Sequence, residues 1–230
     1  MKRIVIFLFI ASTASLLEAQ QKAEKTIMTG GFDTINVYAG IQVNVIKGDE
    51  NKIILSDNNE DKSVFIYKIK NNILKLKAGI DKRLSLGNVF VDVYYTNEID
   101  AINLYQGSKL FLKTPITQTN FNIKAQEGSS FEGKVVTEKT NIHVASGGAI
   151  TVLGKTSVLD IIATTGGLCL AEELSSNQTK IQANIGAVVY AKASVLMDAK
   201  ASLGAIIRAH GESKKSVYKS FLGGSIKQMK

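Results

Sequence analysis

The sequence of 230 residues contains no tryptophan, one proline and one cysteine. A single cysteine excludes an internal disulfide, so the fold must be stabilised by its hydrophobic core. Scarce proline beside 19 glycines and many Val, Ile, Thr and Asn residues favours β-structure with glycine turns. No apolar run reaches the roughly 20 residues that a membrane-spanning helix needs. We therefore predict an all-β protein without a transmembrane segment.

The N-terminus has the pattern of a secretory signal peptide. Lys2 and Arg3 precede an apolar run at 4–10, and a stretch of small and polar residues follows. We predict a signal peptide over 1–19, cleaved after Ala19, with Ala14 as the alternative site. A flexible segment over 20–31 is expected to follow. The protein is then exported to the periplasm, the outer cell surface or the medium.

The positive charge lies at the C-terminal end. The net charge is +8, yet residues 20–174 contain equal numbers of basic and acidic residues, whereas residues 175–230 contain nine basic and two acidic ones. A basic end attracts polyanions. Because an exported protein rarely meets nucleic acid, we predict no nucleic-acid partner. The basic end either serves as a solubilising surface or contacts anionic glycans or lipid headgroups, as a peripheral membrane contact.

A glycine-punctuated phrase recurs through the second half, as in FNIKAQEG, NIHVASG and LDIIATTG. Apolar and polar residues alternate before each glycine, which is typical of a strand with one buried face. A second strand follows each glycine, and no segment has a helical period. Such units bury a core only by stacking. The first glycine of each phrase is Gly107, Gly128, Gly147, Gly166, Gly186, Gly204 or Gly223, at separations of 18 to 21 residues.

This pattern predicts a parallel β-solenoid with rungs of about 19 residues over 101–224. Residues 32–100 keep the alternation without the period, and Asn71-Asn72 between two alternating runs predicts a hairpin. We expect 32–100 to form mostly antiparallel strands that cap the solenoid, within one domain over 32–224. An exposed loop is expected at 79–88, and 225–230 is expected to be a basic tail.

Three segments resemble a known family. They are F-D-x-I-x-V-x-x-G-I-x-V-x-V-x-x-G at 32–48, N-x-I-L-K-L at 71–76 and V-x-V-Y-Y-T-N-E-I-D-A-I-N-L-Y-Q-G-S at 91–108. Together with the rungs, they resemble the autotransporter adhesin head domain called the GIN domain, which is common in exported proteins of Bacteroidetes. The resemblance implies a right-handed β-helix-like fold and export. It implies no established activity and no catalytic residues, because the adhesin label is itself only an assignment.

The sequence predicts no catalytic residues, no cofactor and no metal site. His143 and His210 lie on different rungs, without the converging ligands that a metal needs. A Ser-His-Asp or Cys-His site is not excluded, since its partners converge only in the fold. Adjacent carboxylates, as in Glu172-Glu173, point to opposite faces of a strand. The other such pairs are Asp49-Glu50 and Glu60-Asp61.

Two further motifs resemble sites of known chemistry. The Gly-Gly pairs at 147–148, 166–167 and 223–224 lack the helix start, lysine and hydroxyl of a phosphate loop. Asp33-Thr34-Ile35 resembles an Asp-Ser/Thr-aliphatic O-glycosylation acceptor, and the sequence leaves open whether Thr34 is glycosylated.

Three functions fit these sequence features. The favoured one is a non-enzymatic exported solenoid, an adhesin or envelope-binding module that contacts a glycan or surface protein. Its contacts would come from repeated outward positions. A polysaccharide-cleaving β-helix enzyme is the alternative, and a structural envelope protein that assembles end to end, as a homo-oligomer, is the third. The outward positions are Asn103, Lys124, His143, Gln182 and Lys200.

Cys169 provides a test of the rung register. We place it in the series Ser130, Ile150, Cys169, Val188, Ile206 and Ile226, mostly aliphatic positions of the buried face. Thiol reagents should therefore leave the native protein unlabelled and label it only after denaturation, as mass spectrometry would show. Rapid labelling of the native protein would contradict this register.

Overall fold

The computed structural model describes residues 24–56, 65–79 and 89–229, which contain strands and turns but no helix. The 19 strands of these residues belong to one continuous sheet. The predicted signal peptide over 1–19 lies outside the described residues. The strands are β1 (Glu24–Met28), β2 (Thr34–Tyr38), β3 (Gln42–Lys47), β4 (Lys52–Ser56), β5 (Phe65–Lys70), β6 (Ile73–Ala78), β7 (Phe90–Tyr95), β8 (Ala101–Leu104), β9 (Lys109–Leu112), β10 (Ile116–Ala125), β11 (Ser130–Val144), β12 (Ala149–Ala163), β13 (Leu168–Ala171), β14 (Leu174–Ala183), β15 (Val188–Lys192), β16 (Leu196–Ser202), β17 (Ile206–His210), β18 (Lys215–Phe221) and β19 (Ser225–Met229).

The second half is a parallel β-solenoid, as predicted. Each course consists of a strand, a two-residue turn and a second strand, and each strand pairs in parallel with its counterpart in the next course. Thus β14 pairs with β16 and β16 with β18, while β15 pairs with β17 and β17 with β19. In β11 and β12 the strand continues around the corner between courses, over 15 residues each.

The first half combines antiparallel and parallel pairing. The expected antiparallel pairs are present as β1–β4, β4–β7 and β5–β6. Asn71 and Asn72 both have positive φ and close the predicted hairpin between β5 and β6. However, β2 and β3 pair in parallel with β8 and β9 on one side and with β6 and β7 on the other. They therefore form a course of the solenoid. Two later strands, β6 and β7, lie on one side of this course, and β8 and β9 continue the solenoid from its other side.

Two segment boundaries differ from the prediction. The segment expected to be flexible, 20–31, contains β1, whose backbone pairs with β4 over five residues. The expected tail, 225–230, contains β19, which pairs with β17 and completes the last course. Both are edge strands. β1 carries no glycine-centred pattern, whereas β19 follows Gly223 of the last phrase and is the second strand of that course. Most of the loop expected at 79–88 lies outside the described residues.

Stacked inward positions form the core. The buried side chain five residues before each turn glycine is isoleucine in β8, β10, β11, β12 and β14, and alanine in β16. Three residues before the glycine, most of the buried side chains are alanine or valine. Cys169 is fully buried between Ile150 and Val189. The series around it shifts by one residue in three courses: Phe131, Val189 and Ile207 occupy the inward positions rather than Ser130, Val188 and Ile206. The isoleucines are Ile102, Ile123, Ile142, Ile161 and Ile181.

The turns need left-handed backbone at two consecutive residues. At Ser146-Gly147, for example, φ is 51° and 70°, the type I′ geometry of tight hairpin-like turns. The residue after the turn then passes close to the course below. A Cβ built on Gly148 would lie 2.4 Å from the carbonyl oxygen of Ala125. Glycine is required there by contact with backbone, although the φ of Gly148 lies outside the left-handed region.

Gly148→Ala should therefore destabilise the solenoid by about 1–3 kcal/mol, the usual range for overpacking a close contact. Gly30→Ala is the control, because its added Cβ meets nothing within 4 Å and its φ is not left-handed. Guanidinium unfolding followed by circular dichroism compares the two midpoints. Equal unfolding midpoints for the two variants would contradict the prediction, because they would show that the courses move apart at this turn without a cost in stability.

Candidate functional site

A concave groove of about 500 Å³ lies on the outer side of the strands that precede the turns. It runs across β8, β10, β11, β12 and β14, so it spans five successive courses. Its floor is the backbone of these strands, and its walls are their outward side chains, which are polar apart from Ile162. The lining residues are Asn103, Asn122, Ile123, Lys124, Asn141, Ile142, His143, Asp160, Ile161, Ile162, Lys180 and Gln182.

The groove is built from two rows of side chains in register. In the first row, Asn122, Asn141, Asp160 and Lys180 are successive Cα partners. In the second row, the partners are Asn103, Lys124, His143, Ile162 and Gln182. Parallel pairing places neighbours in a row about 4.8 Å apart. A ligand lying across the strands would thus meet one or two new side chains at each step.

Amide side chains bond to one another between courses. Asn103 Nδ2 donates to Asn36 Oδ1 at 2.8 Å, and Asn141 Nδ2 donates to Asn122 Oδ1 at 2.9 Å. Asn122 Nδ2 in turn donates to the backbone carbonyl of Asp100 at 3.0 Å. An asparagine amide has two N–H donors and a carbonyl acceptor. These bonds hold each amide in place and use only part of its capacity, so the remaining groups can contact a ligand.

An aromatic pair lies beside the groove. The rings of Tyr38 and Tyr105 stack with centroids 5.0 Å apart and planes at 11°. Lys124 places its ammonium 5.6 Å from the centre of the Tyr105 ring, a favourable cation–π contact. Burial, and secondarily the neighbouring Tyr105, raises the pKa of Tyr38; burial, and then Glu127, raises the pKa of Tyr105. Both phenols therefore remain protonated at neutral pH.

His143 points into the groove, between Lys124 and Ile162 on the adjacent strands. Its outward orientation agrees with the alternation in the sequence, although the side chain is half-buried. Burial lowers the pKa of His143, and the charge of Lys124 lowers it further. The imidazole is therefore neutral at pH 7 and can donate through one nitrogen and accept through the other.

The groove carries a positive balance. Lys124 and Lys180 lie on its two rows, and its acidic residue, Asp160, forms a 3.0 Å ion pair with Lys139 outside the lining. The pair is partly exposed and weakly stabilising, yet it offsets the charge of the carboxylate. A ligand with carboxylate groups is favoured over a cation by this arrangement.

Cys169 and His143 do not form the Cys-His pair that the sequence left open. Cys169 is buried inside the coil, where burial raises the pKa of its thiol far above the usual value, while His143 lies on the outer side. Glu172 and Glu173, and Asp49 and Glu50, do not line the groove; Glu60-Asp61 lies outside the described residues. In the described ranges, no three His, Cys, Asp or Glu side chains converge as a metal site would require.

Two other sequence features have definite positions. Thr34 is half-buried at the start of β2, and its hydroxyl donates to Asp33 Oδ1 at 2.9 Å. Of the described segments, none forms a helix of the length and apolarity needed to span a membrane.

Sequence reasoning identified one row of the groove and missed the other. Four of the five outward positions, Asn103, Lys124, His143 and Gln182, line the groove, and Lys200 continues their row in β16. The missed row lies two residues earlier on each strand, where the same alternation also places side chains outward. The missed residues are Asn122, Asn141, Asp160 and Lys180, together with the adjacent Tyr38 and Tyr105.

A family model described as "Putative auto-transporter adhesin, head GIN domain" matches residues 31–213. The chain belongs to the GIN domain family. The resemblance noted at 32–48, 71–76 and 91–108 is thereby confirmed. A comparison with curated protein sequences finds no match.

Solved structures share the fold of this GIN domain. A putative adhesin from Bacteroides fragilis superposes with a TM-score of 0.82 at 13% identity, covering 90% of this chain and 96% of that one. A putative adhesin from Parabacteroides distasonis gives a TM-score of 0.68 at 14% identity, with the same coverage. A putative lipid binding protein from the same species gives 0.64 at 14% identity, again with 90% and 96% coverage. At such identities the likeness establishes the fold.

The contact between Lys124 and His143 can be tested by titration. Lys124→Gln removes one of the two causes that lower the pKa of His143, so this pKa should rise while staying below 6.5, because the burial remains. NMR titration of the imidazole protons measures it, with His143→Asn to assign the signal. Lys155→Gln, on an exposed position away from the groove, should leave the pKa unchanged. A fall or no change in Lys124→Gln would contradict the geometry.

Proposed function

We propose that this GIN domain is an exported, non-enzymatic adhesin-type module that binds an extended glycan along the groove. The observation that carries the proposal is the two-row alignment of amide, imidazole and ammonium groups across five courses. The courses of β10, β11 and β14 each offer a pair of polar side chains, and those of β8 and β12 offer one each, Asn103 and Asp160. Successive courses are about 4.8 Å apart, a step close to the length of one sugar unit in a chain.

The chemistry of the lining suits a sugar. Asparagine and glutamine amides donate to and accept from hydroxyl groups, and the hydrogen bond from Asn141 to Asn122 holds two of them in fixed positions. Preorganised side chains lose little entropy when a ligand binds. The Tyr38–Tyr105 pair adds an aromatic surface beside the groove. Lys124 and Lys180 favour glycans that carry carboxylate groups.

The open shape of the groove also supports a binding role. Its side chains come from regular strands rather than from inserted loops, so it is open and shallow. A glycosidase needs two carboxyl groups placed across the scissile bond, whereas the groove lining contains one carboxylate, Asp160, already paired with Lys139. The family and its adhesin-named neighbours support a surface location, and the predicted signal peptide supports export.

Removal of two groove amides tests the proposal. Asn103→Ala/Asn141→Ala should weaken binding to the best ligand of a glycan array by about tenfold or more, since two ligand hydrogen bonds are lost. Asn120→Ala/Asn177→Ala removes two exposed asparagines outside the groove lining and should leave the affinity unchanged. Isothermal calorimetry measures both variants.

Two results would overturn this function. The first is equal loss in both double variants, because binding would then not depend on the groove. The second is release of reducing ends from the bound polysaccharide that is abolished by Asp160→Asn, because the domain would then be an enzyme.

A further inference from the structure

The last three turns of the solenoid expose large apolar side chains at their tips. Ile185, Leu203 and Leu222 are 52%, 49% and 71% exposed, and Phe221 beside the last of them is 56% exposed. We call these four residues the apolar ridge. Turns are normally polar and solvated, so four exposed apolar residues along one edge mark an interaction site.

The ridge residues adopt an unfavourable backbone conformation. Ile185, Leu203 and Leu222 have φ of 51°, 51° and 49°, in the left-handed region that β-branched and bulky residues rarely enter. Neither local conformation nor burial explains large apolar side chains at these positions. The corresponding tips of earlier courses are alanine or polar: Ala39, Gln106, Glu127, Ser146 and Thr165.

The turns stack directly on one another, so the ridge is continuous. The Gly186 amide donates to the Leu203 carbonyl at 3.0 Å, and the Gly204 amide donates to the Leu222 carbonyl at 3.3 Å. Successive tips are therefore about one strand spacing apart. The ridge runs along the corner where the two faces of the solenoid meet. It is therefore convex and can insert into a deformable surface.

Basic residues flank the ridge on both faces. Lys200 and Lys219 are partners on the face that precedes the turns, and Arg208 and Lys227 are partners on the face that follows them. These pairs belong to the basic C-terminal end found in the sequence. Apolar tips between two positive rows match the layering of an anionic bilayer, in which acyl chains lie beneath negative headgroups.

We propose that the apolar ridge inserts into the headgroup region of an anionic phospholipid bilayer, with the flanking lysines and arginine on the lipid phosphates. A second copy of the chain is a poorer partner, because pairing two ridges would bring their basic rows together. Insertion would fix the orientation of the molecule on the membrane. None of the four ridge residues lines the groove, although Lys200 continues the groove's second row, so this proposal does not rest on the proposed function.

Vesicle flotation of the processed protein tests the insertion. The probe is vesicles of equal parts phosphatidylcholine and phosphatidylglycerol, compared with phosphatidylcholine alone. The protein should bind the anionic vesicles, and Ile185→Thr/Leu203→Ser/Leu222→Gln should bind at least about tenfold less, since each substitution removes buried apolar surface. These replacements resemble side chains at the same tip in earlier courses, so folding should be retained, as circular dichroism can verify.

Charge and position are tested separately. Lys200→Gln/Lys219→Gln should lower binding roughly tenfold or more, because each basic residue near an anionic surface adds about fivefold. Val136→Thr/Leu153→Gln removes exposed apolar side chains elsewhere and should have no effect.

Three outcomes would overturn the proposal. The first is no binding to anionic vesicles at low salt, and the second is equal binding by the ridge variant and the unmodified protein. The third is that the unmodified protein sediments as a dimer and the ridge variant sediments as a monomer. The last result would assign the ridge to contact between copies.

Discussion

The stacking of one course on the next through backbone hydrogen bonds at the turns determines the rest of the structure. The amides of Gly128, Gly147 and Gly166 each donate to the tip residue of the following turn, at 2.9 to 3.1 Å. This contact is possible only because the tip pair takes left-handed φ and the next residue is small, as Gly148 and Gly167 are. Once the turns are aligned, every strand residue is in register with its counterpart above and below. Core rows, groove rows and ridge all follow from that alignment.

Much of this fold could be predicted from the sequence, because the period and the alternation are local. Both give the inward isoleucine rows and the outward row containing Lys124 and His143 directly. The one-residue error around Cys169 arose from counting Gly148 and Gly167 as turn glycines, whereas they occupy the small position after the turn, like Ser129 and Ala187. The placement of β2 between β6 and β8 could not be predicted, since it depends on pairing between distant segments that carry no shared period.

The groove was half predictable for a related reason. Alternation says which side chains point outward, but it cannot say where the outer surface is concave, because that depends on how the strands curve around the core. It also cannot pair side chains across courses until the register is known. The contacts of Asn103 with Asn36 and of Tyr38 with Tyr105 join residues 67 positions apart. Such contacts arise because β2 lies directly beneath β8.

The ends of the solenoid bear on the idea that copies assemble end to end. In the last course two inward positions change from apolar to polar: Tyr218 follows Ala199 and Gln228 follows Ala209. The Tyr218 hydroxyl donates to Gln228 Oε1 at 2.5 Å. This bond spans the open end of the core. The edge strands also carry exposed lysines, Lys215 and Lys219 in β18 and Lys68 and Lys70 in β5. Exposed charges on edge strands oppose pairing with another chain, and both ends carry the same sign. Stacking of copies end to end would place these lysines against one another, so the charge on both ends opposes end-to-end assembly.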